Sequence, residues 1–127
     1  MRRPWSLARR EQFDSVFRRG KVSHGTFVSV RALPNGQETS RLGLVVGKRV
    51  GSAVQRNRTK RRIREAVNVR ALPGGWDIVV TARPGIDSAK YADVEQELRG
   101  LLVRVGVLEP RGHDTGLPDM RLPEDSI

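Results

Sequence analysis

From Thr39 through Arg64 the chain carries no acidic residue, yet Lys48 to Arg64 alone holds eight cations: Lys48, Arg49, Arg56, Arg58, Lys60, Arg61, Arg62 and Arg64. Like charges three and four residues apart destabilise a helix, so such a segment needs a packing stripe to hold it and an anion to neutralise it. On a wheel at about 100° per residue, Arg56 to Arg70 gathers Ile63, Ala66 and Val67 into one arc. Lys60, Arg64, Asn57, Arg61, Arg58 and Arg62 sweep the remainder. The expected element is a helix, capped by Ser52 or Asn57, that packs on a narrow side and presents cations on a wide one.

Short apolar runs bracket this helix. Arg41 to Gly47 and Asp77 to Ala82 read as strands, and Thr26 to Leu33 as a third, ended by the turn signal Pro34-Asn35-Gly36. Phe13, Val16 and Phe17, at i, i+3 and i+4, predict a short first helix that stops at Gly20. Tyr91, Val94, Leu98, Leu101, Leu102 and Val105 trace a last one after the loop Arg83-Pro84-Gly85, with Tyr91 as its anchor. This order predicts one α/β sandwich, helices packed on a small sheet, and 127 residues suit a single domain. Composition changes at Glu109. Residues 109–127 hold three prolines, two glycines and five acidic against two basic residues without apolar periodicity, the pattern of a disordered tail. The body is thus expected at 7–108, after a short basic arm at 1–6.

Charge narrows the function. The chain carries a formal +10; without the tail, 22 basic and 9 acidic residues remain, or +13. A polyanion is the partner such a surface fits, and the dominance of arginine, whose planar fork bonds phosphate or a guanine edge and stacks on bases, favours RNA over an anionic membrane. Phe13 and Phe17 lie one turn apart beside Arg9, Arg10, Arg18 and Arg19, a mixture suited to stacking single-stranded bases while cations track the backbone. The same spacing also serves core packing.

Other chemistry finds little support. No cysteine is present, so disulfides and thiolate metal sites are excluded. His24 and His113 sit in no carboxylate or ligand cluster, and Asp14, Asp77 and Asp87 are scattered over different elements, which disfavours a nuclease acting through its own side chains. Gly43 and Gly47 flank a strand without a phosphate-loop pattern and are better explained by close backbone approach. Trp5 and Trp76 fall at element edges, where aromatic packing is usual. No apolar run reaches membrane-spanning length and no apolar stretch follows the basic N-terminus, so a cytoplasmic protein is expected.

The segment Gly47-Lys48-Arg49-Val50-Gly51-Ser52-Ala53-Val54-Gln55-Arg56-Asn57-Arg58-Thr59-Lys60-Arg61-Arg62-Ile63-Arg64-Glu65 resembles the signature of the bacterial ribonuclease P protein family: a basic strand end, a small loop, then Arg-Asn-Arg and Lys-Arg on a helix. Phe13, Val16, Phe17, Gly20, Phe27 and the stretch Asp77 to Arg83 extend the resemblance over about Leu7 to Leu108. It implies a two-layer α-β sandwich with a small mixed sheet and a left-handed βαβ crossover, of the kind also found in the second domain of a small-subunit ribosomal protein. It further implies a non-catalytic subunit whose partners are a catalytic RNA and precursor tRNA, with magnesium required by the RNA, no cofactor on the protein, and no obligate protein partner or membrane. Carried over residue by residue, Lys48, Arg49, Arg56, Asn57, Arg58, Lys60, Arg61 and Arg64 become the RNA face. Phe13, Phe17 and Phe27 become the cleft for the 5′ leader of the precursor. Val30 departs from the family, which often has an aromatic ring there; stacking is then either lost or supplied by Arg31. From the residues without the resemblance, a ribosomal or RNA-chaperone protein and a duplex DNA binder stay open.

Overall fold

The computed structural model describes residues 6, 7 and 9–109. Three helices and four strands follow in the order α1 (Arg10–Arg19), β1 (Lys21–His24), β2 (Val28–Pro34), β3 (Arg41–Val45), α2 (Ala53–Val67), β4 (Trp76–Ala82) and α3 (Tyr91–Arg104). The sheet order is β1-β2-β4-β3, with β3 parallel to β4 and the other pairs antiparallel. The three expected strands are present, and β1 is additional. It is a four-residue edge strand, mostly exposed, that pairs Lys21 with Ala32 and His24 with Ser29.

The basic helix starts earlier than Arg56 because Ser52, and not Asn57, caps it. The Gln55 N–H donates to Ser52 Oγ at 3.2 Å while the Ser52 N–H donates to Gln55 Oε1 at 2.7 Å, so two otherwise orphaned donors are satisfied reciprocally. It stops at Val67, short of Arg70. Asn68 adopts the left-handed conformation at φ 47°, and a 3-10 turn, Val69–Ala71, follows.

Alternation along β4 sorts the two faces of the sheet. Ile78, Val80 and Ala82 join Val28, Val30, Ala32 and Leu42 in the main core, covered by Ile63 and Val67 of α2 and by Val94, Leu98, Leu101 and Leu102 of α3. Val79 faces the other way, where Val16 of α1 and Leu7 pack on it, with Phe13, Leu33 and Val45 at the margin. Tyr91, at the first turn of α3, is 37% exposed and does not anchor the helix; the buried stripe begins at Val94.

The connection from β3 through α2 to β4 is left-handed, and the geometry can be read from one residue. Leu42 points its side chain into the α2–α3 layer and its carbonyl away from β4, toward the Leu7 N–H at 3.0 Å. For an L-residue viewed from its side-chain face with the strand running upward, its carbonyl points right; β4 therefore lies left of β3, with α2 in front. Nearly all such crossovers go to the right.

Asp77, buried at the start of β4, accepts from Arg41 Nε and Nη2 at 2.8 Å each and from Asn35 Nδ2 at 2.9 Å. The hydrogen bond to Asp77 raises the Arg41 pKa above its ordinary value, against the opposing effect of burial. This fork ties the β2–β3 loop to β4 and accounts for Asp77 as a structural residue.

Candidate nucleic-acid interface

The buried side of α2 is Thr59, Ile63 and Val67, spaced by four residues, with Ala66 partly covered. Thr59, only 2% exposed, extends the stripe one turn beyond the expected arc. Opposite it, Asn57, Arg58, Arg61 and Arg64 are exposed, and Arg56 and Lys60 are half-buried at the borders. Arg62 is spent locally, donating from Nη2 to the Ala89 carbonyl at 2.8 Å. Lys48 and Arg49 are exposed on a 3-10 turn, Lys48–Val50, between the end of β3 and α2. Val54, 72% exposed, shares the outward side of α2 with Asn57 and Arg61. Arg58, Arg61 and Arg64 make no ion pair among the described residues.

On the opposite face of the sheet α1 leaves part of the surface open. Phe13 is half-buried against the Val79 cluster, its ring lying so close over β3 that a Cβ on Gly43 would stand 2.5 Å from Phe13 Cε1. Glycine at 43 is what lets the ring in, the close approach anticipated there. Phe17 is different: it is 41% exposed, with the Arg31 guanidinium 4.6 Å from its ring centroid. Beyond them runs a row fixed by register, His24, Ser29, Thr81 and Val45. His24 Nδ1 and Ser29 Oγ are 2.9 Å apart, and Thr81 Oγ1 is buried without a hydrogen-bond partner among the described residues. A buried hydroxyl left unpaired costs free energy; Ser29 is only 7% exposed, so of this row His24 is the exposed side chain.

Phe13, Phe17 and Arg31 are thus brought together, and Phe27 is not. Phe27 packs on the main core beside α3. Its N–H, with those of Thr26 and Val28, donates to the Glu97 carboxylate at 2.7, 2.8 and 3.0 Å respectively. A side chain at Gly25 would collide with that carboxylate, so a glycine there and an acid on α3 lock the β1–β2 turn together. Val30, wholly buried, faces the α2–α3 layer and does not reach the groove; the groove residue on that strand is Arg31. The groove and the basic helix adjoin, since Val45 ends β3 in that row and Lys48 follows three residues on.

Among the described residues no group of three or more His, Asp or Glu side chains gathers to hold a metal ion, and no helix is long and apolar enough to cross a membrane. His113 and Trp5 lie outside the described residues, as do the arm at 1–5 and the tail beyond Glu109. Neither periodicity nor charge in the sequence marks Ser29 and Thr81, whose hydroxyls alternation turns to the α1 side of the sheet, where both are buried.

A compact α/β sandwich whose second helix sets six cations against the single acid Glu65, beside an aromatic-lined groove, defines a protein built to hold RNA. Comparison with known proteins makes the class specific. A family model described as Ribonuclease P matches residues 1–106. The ribonuclease P protein component of Dehalococcoides mccartyi strain CBDB1 is 38% identical over 109 residues, 86% of this chain and 91% of that protein. That of Roseiflexus sp. strain RS-1 is 38% identical over 124 residues, 94% and 99% of the two chains. Among solved structures, the Staphylococcus aureus RNase P protein superposes with a TM-score of 0.75 at 26% identity, covering 83% of this chain and 98% of that one. The Thermotoga maritima RNase P protein gives 0.71 at 33% identity, covering 79% and 96%. The chain belongs to the bacterial ribonuclease P protein family.

Proposed function

We propose that this chain is the subunit that binds the catalytic RNA of ribonuclease P through α2 and the turn before it, and seats the 5′ leader of precursor tRNA in the groove between α1 and the sheet. The observation that carries this is the juxtaposition of the two surfaces at the end of β3: exposed Lys48, Arg49, Asn57, Arg58, Arg61 and Arg64 on one side, the Phe17–Arg31 stack and the exposed His24 on the other. Cations screen repulsion between two polyanions, and rings stack on bases whatever their identity. Arg56 and Lys60 border the RNA face. Phe13 sets the wall of the groove and Phe27 supports it from the opposite layer.

Hydrolysis of the phosphodiester belongs to the RNA subunit in this reading, with magnesium required there; the protein supplies no catalytic residue, binds no cofactor and acts in the cytoplasm without an obligate protein partner. Its contribution is differential. Leader contacts exist in the precursor and vanish in mature tRNA, so they favour substrate over product. The test is cleavage of a precursor tRNA by bacterial ribonuclease P RNA at low magnesium, with and without the protein, beside the protein alone. Stimulation of cleavage only in the reconstituted mixture is expected. Cutting by the protein alone would overturn the assignment of catalysis, and salt-dependent RNA binding without stimulation would point to an RNA chaperone.

A further inference from the structure

Residues 110–127 follow directly on a chain end placed beside the basic helix. Leu108 lines a cavity of about 590 Å³ together with Glu65 and Val67 of α2's last turn, the Asn68 that follows it, and Leu72 and Leu102. The chain therefore leaves the fold at the C-terminal end of α2. The 18 residues that follow hold Asp114, Asp119, Glu124 and Asp125 against Arg111 and Arg121. A random coil of 18 residues has a root-mean-square span of about 23 Å. α2, at 15 residues, is about 22 Å long. The length of residues 114–125 is therefore enough to span Arg64, Arg61 and Arg58, the cations left without ion pairs among the described residues.

Given the RNA-facing role proposed above for α2, we infer that the acidic segment 114–125 docks along the cationic face of α2 and competes with RNA for it. Tethering makes the competitor effective, because it is present at millimolar-scale local concentration without needing high affinity. A short or poorly matched RNA must displace it with few contacts, whereas a cognate RNA making many contacts displaces it at little relative cost. Displacing the segment costs every RNA the same factor in apparent affinity, so the ratio of affinities is unchanged, but a weakly bound bulk RNA falls below occupancy while a tightly bound partner RNA stays on. Charge complementarity and reach favour this occupant for the face in the absence of RNA.

The test uses the full chain and a variant carrying Asp114→Asn, Asp119→Asn, Glu124→Gln and Asp125→Asn. Without RNA at low salt, the backbone amide signals of residues 57–64 should shift between the two proteins and coincide at high salt, where exposed ion pairs are screened. Binding to an oligouridine strand at low salt should be roughly three- to tenfold tighter for the variant. Its affinity should also fall more steeply with salt, since no internal anion remains to be displaced. Coincident amide signals at low salt would overturn docking, whatever the affinities, because a change in net charge alone strengthens RNA binding. If the amide signals shift but neither protein binds oligouridine or ribonuclease P RNA, the docking stands and the RNA-face assignment of α2 fails.

Discussion

Replacing Phe17 with alanine separates the groove from the core, because this ring is the one α1 leaves accessible. Stacking of a base on an aromatic ring contributes about 1–3 kcal/mol. One face of Phe17 already carries the Arg31 guanidinium, an interaction of about 0.5–1 kcal/mol at an exposed site, which a base must share or displace. Taking the middle of each range, the net loss on Phe17→Ala is about 1.2 kcal/mol, or roughly eightfold in affinity. The assay is equilibrium binding of the reconstituted RNA–protein particle to a precursor tRNA with a long leader and to a leaderless tRNA. The long-leader affinity should fall by that factor and the leaderless one should not change. Phe13→Ala is the control for a ring that packs: half-buried on Leu7, Val16 and Val79, it should cost about 2–4 kcal/mol of folding stability. Equal losses for both tRNAs with Phe17→Ala, or no loss for either, would refute the groove as the leader's seat.

Replacing Arg58 and Arg61 together by alanine should weaken assembly with the catalytic RNA at moderate salt and flatten the dependence of log affinity on log salt by about 1.4–1.8, measured as a salt titration. Asp77→Ala leaves the Arg41 guanidinium without its fork, and chemical denaturation should show a loss of about 3–5 kcal/mol. Gly43→Ala forces the Phe13 ring off β3 and should cost about 1–3 kcal/mol; a double-mutant cycle with Phe13→Ala should recover most of that, because the collision is with that ring alone among the aromatics.

The core elements were legible because their patterns are strong: apolar runs at β2, β3 and β4, helical stripes in α1 and α3, and a charge distribution in α2 that admits one packing side. β1 was not. Lys21 to His24 is a short exposed edge strand that buries almost nothing, so alternation leaves no trace. The start of α2 was misplaced by charge itself, since the first cation of the helix is Arg56, whereas the cap at Ser52 depends on a reciprocal pair of hydrogen bonds with Gln55. The exposure of Asn57, Arg58, Arg61 and Arg64 follows the wheel, whereas Arg56 and Lys60 lie half-buried at its borders and Arg62, which a wheel places outside, bonds the Ala89 carbonyl of a distant loop. The groove was read only in part. Which phenylalanine stays accessible depends on Gly43 admitting Phe13, and the removal of Phe27 to the other layer depends on Glu97, some 70 residues away.

The left-handed crossover ties these features into one surface. The core face of β3 must meet α2, while its opposite face bears Gly43 and Val45 under α1, so β3 contributes to both layers within five residues. Leading leftward from an outer strand, the connection carries α2 back over the sheet toward β4, leaving the 3-10 turn with Lys48 and Arg49 at the sheet's rim. Under the proposed function, an RNA phosphate held at that rim would lie at the end of β3, on the side of the sheet that carries the Phe17–Arg31 stack. If binding at the helix and in the groove is coupled through this shared strand end, loss of Arg58 and Arg61 should also weaken the leader's contribution. Independent surfaces would leave it intact, so the triple replacement with Phe17→Ala decides between them: free-energy losses that simply add mean two separate sites, and losses smaller than the sum mean one continuous path for RNA.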